Sequence, residues 1–184
     1  MSFAIFSDSS CNLPKAQLEE FQVQIISSSY EREGKLITCP PYPEDFDGHE
    51  YYNFLRNKGV VKTSLIPAAQ MEDAFRPVLA AGEDVLYITL SSGISGTVAS
   101  GLQAAQALME EFPQRQVRVL DSMGAGFGIG LLLGRASDDR KAGLNLDQTY
   151  ASLERDRDNL CEFFTVDDLM FLRRTGRLSG VTAT

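Results

Sequence analysis

Residues 85–112 read VLYITLSSGISGTVASGLQAAQALMEEF, and this stretch decides the fold class. Its first six residues form a continuous apolar run, the pattern of a strand covered on both faces. Val98, Leu102, Ala105, Met109 and Phe112 then recur at +4, +3, +4, +3, which predicts one helical stripe packed on the sheet. Between strand and helix lies a turn built from serine, threonine and glycine. A strand, a tight turn and a helix in that order make half of a βαβ unit.

The flanking sequence repeats the rhythm. FAIFS (3–7) reads as a strand that ends at Asp8 and two serines. Asn12 is expected to cap a helix that has Pro14 in its first turn and runs to Phe21. VQIISSSY (23–30) reads as a second strand, and REGKLITCPPYPEDFDG (32–48) as turns. Tyr51, Phe54 and Leu55 share a helical face. VRVLD (117–121) is a further strand, and Leu146, Tyr150, Leu153 and Leu160 mark a further helix. CEFFTV (161–166) is expected as a last strand, followed by a short helix, DDLMFLRR, with Thr165 as its cap. The expected fold is α/β, a mostly parallel sheet with helices on both faces. In such sheets ligands bind beyond the carboxyl ends of the strands. SDSS, KTS, LSSGISGT and LDSMGAG all fall there.

Composition narrows the function. The 184 residues are 43% hydrophobic and 23% charged, the range of a globular chain. A formal net charge of -8 lacks the footprint of general nucleic-acid or anionic-membrane binding. Cys11, Cys39 and Cys161 are odd in number and widely spaced, against a disulfide framework or structural zinc. The first residues lack a basic signal-peptide region, and AGFGIGLLLG (125–134) is about half the length of a spanning helix. The reading is a cytoplasmic protein.

Each motif has a plain structural alternative. GISGT (93–97) approaches the G-x-S-x-G nucleophile elbow but has threonine in the last position, and the single histidine, His49, lies upstream. Ser95 can cap its own helix, or it can act with the free amides of Gly96 and Thr97 on an anion. KTS presents Thr63 and Ser64 to the same crevice, or forms a turn with a solvated lysine. SDSS orders a ligand or cation through Asp8, or makes an Asx turn. GAGFGIG (124–130) fails the dinucleotide spacing, and its glycines are better explained by close helix packing. Arg173, Arg174 and Arg177 form either a solvated helix end or a docking patch for an acidic or phosphorylated partner.

Five segments occur in a fixed order: SDSSCNLP, VKTS, ITLSSGISGTVAS, VRVLDSMGAGFGIGLLL and FFTVDDLMFLRRTGRLSG. Together they resemble the DegV family of bacterial fatty-acid-binding proteins, over essentially the whole chain. The resemblance implies a long-chain fatty acid as ligand and no enzyme activity of the chain's own. It also implies presentation of the ligand carboxyl to a separate ATP-using kinase subunit of the dihydroxyacetone-kinase group, giving an acyl phosphate. It assigns the carboxylate to Thr63 and Ser95, with Ser92, Gly96, Thr97 and Ser64 nearby, and it implies no metal and no cofactor besides the bound lipid.

Hydroxyls and helix-start amides suit a carboxylate, which only accepts hydrogen bonds. About fourteen buried methylenes contribute on the order of 11 kcal/mol before binding costs, so the tail dominates affinity. Family members run longer than this chain. The resemblance therefore implies an α/β domain over residues 1–160 and the start of a second, smaller α/β domain over 161–184. It also implies that a carboxylate-binding histidine and half of the tunnel wall belong to the remainder. The alternative is a DegV-like fold that acts as a protein-interaction module without a complete lipid site.

Overall fold

In the computed structural model, which describes residues 3–166, the strand-and-helix rhythm resolves into two sheets. The elements run β1 (Phe3–Asp8), α1 (Lys15–Phe21), β2 (Val23–Ile26), β3 (Ser29–Arg32), β4 (Lys35–Thr38), α2 (Gly48–Arg56) and β5 (Val61–Ser64). They continue with α3 (Ala68–Ala80), β6 (Asp84–Thr89), α4 (Thr97–Glu111), β7 (Val117–Asp121), α5 (Phe127–Lys141) and α6 (Leu146–Arg157). Four strands form an all-parallel sheet in the order β2-β1-β6-β7. Three form a small antiparallel sheet in the order β4-β3-β5.

Alternation along the central strands covers both faces of the parallel sheet, as the apolar run at 85–90 requires. Phe3 and Ile5 of β1, Leu86 and Ile88 of β6 and Leu120 of β7 pack against Leu18 of α1, Leu133 of α5 and Leu153 of α6. Ala4 and Phe6, Val85 and Tyr87, and Val117 and Val119 pack on the opposite side against Phe75 and Leu79 of α3 and Leu108 of α4. The fold is therefore the α/β arrangement with helices on both faces.

The structure corrects several local expectations. The α4 stripe is rotated from its expected position. Gly101, Ala104, Ala105 and Leu108 face the sheet, whereas Leu102 and Met109 are 54% and 38% exposed. The reason is the Tyr87 ring. A Cβ on Gly101 would stand 3.3 Å from that ring and 3.1 Å from Val119 Cγ1, so only small residues let α4 approach. Residues 23–30 are not one strand: β2 and β3 lie in different sheets, with Ser27 and Ser28 between them.

The segment expected as turns contains β4. It is joined to β3 through Glu33 and Gly34, whose φ values of 52° and 75° give the two-residue turn whose twist suits a hairpin. Asn12 does not cap α1. It ends a single 3-10 turn, Ser9–Cys11, at φ 51°, and α1 starts after Pro14 without a side-chain cap. Residues 161–166 form no strand, and Phe163 and Phe164 are exposed. The expected helix over 167–174 lies outside the described residues.

The α4 register yields a direct test. Leu108→Ala is expected to lower unfolding free energy by about 2–5 kcal/mol in urea titrations. Leu102→Ala, at the apolar position exposed to solvent, is expected to change it by less than about 1 kcal/mol.

Candidate functional site

A buried carboxylate organises the carboxyl end of the parallel sheet. Asp8, the last residue of β1, is 2% exposed. Its Oδ2 accepts from Thr89 Oγ1 at 2.6 Å, the Leu90 amide at 3.2 Å and the Tyr87 hydroxyl at 3.4 Å. Its Oδ1 accepts from the Ser10 amide at 3.0 Å and from the Ser10 hydroxyl. Burial pushes the Tyr87 phenol well above its ordinary range, and the Asp8 charge adds to the effect. Tyr87 therefore stays a donor. The SDSS segment does form an Asx-type turn, closed by the Asp8–Ser10 contact.

Backbone bonds join the loops that leave β1, β6 and β7. The Ser91 amide donates to Gly124 O at 3.1 Å, and the Gly126 amide donates to Ser10 O at 3.2 Å. Among the glycines of residues 124–130, Gly130 serves close packing, whereas Gly126 takes a φ of 50°. A Cβ on Gly130 would stand 2.8 Å from Leu13 Cδ2. Glu162 occupies the start of α5, accepting from the Ala125 amide at 3.0 Å and the Gly128 amide at 2.9 Å. Gly124 and Gly128 leave the room its carboxylate needs.

The KTS and SGT segments, far apart in sequence, meet here. Ser95 Oγ accepts from the Thr97 amide at 3.3 Å and lies 2.8 Å from Thr97 Oγ1. The Ile66 amide, just beyond β5, donates to Thr97 Oγ1 at 3.4 Å. Gly96 permits the approach, since a Cβ there would stand 3.1 Å from Leu65 Cδ2. Ser95 thus binds its own helix start, and it also faces a cavity.

That cavity, about 580 Å³, lies between the carboxyl edge of the parallel sheet and the antiparallel sheet. Such a volume suits a small-molecule ligand. Thr63, Ser64, Ser95, Gly96 and Thr97 all line it, with Asp8, Ser9 and Ser10 beside them. Tyr30, Tyr42, Phe46, Tyr51 and Tyr52 form an aromatic wall, and Cys39 also contributes. Tyr51 makes edge-to-face contacts with Tyr30 and Tyr52, each at a ring-centroid distance of 5.3 Å, and a tilted contact with Phe46 at 5.2 Å. Behind this wall, Arg32 donates to both Glu50 oxygens, at 2.8 and 2.6 Å, and lies 3.8 Å from the Phe54 ring centroid. Arg32 donation holds the Glu50 carboxyl below its usual range.

Among the described residues that line the cavity, Asp8 is the one ionisable carboxylate, and none is a lysine, arginine or histidine. His49 is exposed on α2, with Nδ1 3.3 Å from Asn53 Nδ2, and does not line the cavity. Among the described residues, the partners of a base-activated serine are thus not assembled at Ser95. Ser92, expected near the ligand, does not line the cavity either. Its amide donates to Asp121 Oδ1 at 3.1 Å. Burial pushes the Asp121 carboxyl up, but donors from Ser92 and Met123, with Arg157 nearby, hold it below its usual range overall. Arg173, Arg174 and Arg177 lie outside the described residues. Among the described residues there is no cluster suited to a metal ion and no helix long and apolar enough to cross a membrane.

Residues 2–184 match the family model described as "Uncharacterised protein, DegV family". The chain belongs to the DegV family. A DegV domain-containing protein of Clostridium perfringens is 31% identical over 98% of this chain and 62% of its own length. A DegV family protein of Thermus thermophilus, described by its fatty acid binding, superposes with a TM-score of 0.83 at 29% identity, over 100% of this chain and 63% of that one. A stearic acid-binding protein of Eubacterium ventriosum gives 0.84 at 28% identity, over 99% and 62%. The chain thus spans less than two thirds of the length of these relatives.

Two outcomes follow from the acids of this site. Asp8→Asn replaces an acceptor-only group with one that also donates, and is expected to lower stability by about 1–3 kcal/mol in urea titrations. The depressed carboxyl of Asp121 gives stability that is present above its unfolded pKa and lost as pH falls. Asp121→Asn should therefore flatten the fall in thermal midpoint between about pH 5 and about pH 2.

Proposed function

We propose that this DegV chain binds a long-chain fatty acid, with the carboxylate held by Thr63 and Ser95 and the acyl chain laid along the aromatic wall. The observation that carries the reading is the cavity's mixed lining. Neutral hydroxyls and the Gly96–Thr97 helix start line it together with four tyrosines and Phe46. A carboxylate needs donors and a tail needs apolar surface. The fatty-acid-binding relatives from Thermus thermophilus and Eubacterium ventriosum support the same ligand class.

The reading extends to presentation. A neutral donor set leaves the ligand carboxyl open to an incoming phosphoryl group, where a bidentate arginine would mask it. The chain is then a carrier for a separate ATP-using kinase of the dihydroxyacetone-kinase type, which makes the acyl phosphate. Arg173, Arg174 and Arg177 are the proposed docking residues for that partner. Residues 161–184 then begin a second, smaller domain, which would complete the lipid site.

Mass spectrometry of organic extracts from the purified chain tests the ligand class, and a co-purified long-chain acid is expected. Ser95→Ala is expected to weaken acid binding about five- to thirtyfold, or about 1–2 kcal/mol, in titrations of the delipidated protein. An extract without any acyl chain, together with no binding in titration, overturns the reading.

A further inference from the structure

We infer that Thr97 is a positioning residue that turns the Ser95 hydroxyl hydrogen into the cavity, so that Ser95 meets its ligand as a donor. The inference rests on the fatty-acid reading of this cavity and deepens it.

The two hydroxyls lie 2.8 Å apart and share one hydrogen between them. Their other partners decide its direction. Thr97 Oγ1 already accepts from the Ile66 amide, and Ser95 Oγ already accepts from the Thr97 amide. If Ser95 donated to Thr97, the Thr97 hydrogen would be the spare one. Thr97 is 4% exposed, so although it touches the cavity, a spare hydrogen there would reach a ligand less readily than one on Ser95. If Thr97 donates to Ser95, the spare hydrogen is on Ser95, which is half-buried and lines the cavity. The second arrangement places the free hydroxyl hydrogen on the more accessible of the two residues. An acceptor-only carboxylate reinforces it.

Thr97 also spans the two halves of the candidate carboxylate site. Its hydroxyl takes the Ile66 amide three residues after Thr63, while its amide and hydroxyl both bind Ser95 two residues before it. One side chain thus sets the spacing between the KTS segment and the SGT segment, as well as the polarity of Ser95.

The test compares binding of palmitic acid and 1-hexadecanol to the delipidated 184-residue chain. The alcohol both donates and accepts, so it is indifferent to the direction of the Ser95 hydrogen. Thr97→Val is expected to weaken palmitic acid about tenfold relative to hexadecanol, and Thr97→Ser to restore the wild-type ratio. In a Ser95→Ala background, Thr97→Val should add no further loss for the acid. Equal losses for acid and alcohol, a Thr97→Ser variant that does not recover the ratio, or a full additional loss in the Ser95→Ala background each overturn the positioning role while leaving the fatty-acid reading standing. A wild-type chain that binds neither probe overturns both.

Discussion

The carboxyl end of this domain is built on the accommodation of one buried negative charge. Asp8 is withdrawn from water and meets five donors, supplied by its own turn and by the β6 strand with the residue after it. Desolvation of a lone carboxylate is prohibitive, so those donors must converge. Their convergence fixes how the SDSS turn lies against the end of β6. It also places the backbone that starts the LSSGISGT loop. Ser91 and Ser10 carry the same geometry on to the loop after β7 through their backbone bonds. The position of Ser95 over the cavity follows from a network whose centre lies at the end of β1.

The legibility of the sequence varied with how far each signal was local. The β6 run could be read because a strand buried on both faces has only one hydrophobic pattern to offer. The face of α4 could not, because its periodic leucine and methionine positions compete with a glycine–alanine stripe. The opposing Tyr87 ring that selects the stripe belongs to another element. β4 carries little sequence signal for a different reason. It is an exposed strand whose Leu36 is 70% accessible, and it sits among residues with strong turn preferences. Asn12 is ambiguous in sequence because a left-handed asparagine that ends one turn has the same local sequence as one that caps the next.

The candidate site divides in the same way. Thr63, Ser64, Ser95, Gly96 and Thr97 were readable as motif residues at strand ends, and the fold brings them to one cavity. Ser92 shares their motif but faces Asp121, since one step along a tight loop is enough to reverse a side chain. The aromatic wall left almost no sequence signal. Tyr42 and Phe46 come from a proline-rich loop, Tyr51 and Tyr52 from a helix and Tyr30 from a strand, so no single period links them. Their clustering is visible only once β3 and α2 are clamped together by Arg32 and Glu50.

The sheet order also dictates when the domain can first come together on the ribosome. β1 pairs with β2 a short distance along the chain, but its other neighbour is β6, with Phe3 opposite Asp84 and Ser7 opposite Ile88. Most of the Asp8 donors, Tyr87, Thr89 and Leu90, arrive with that later strand. Until residue 90 has emerged, β1 has one edge uncovered and Asp8 lacks those three donors. Parallel pairings of such long reach carry a large loop-closure cost and form slowly. The completion of β6 is thus the event that covers the second edge of β1.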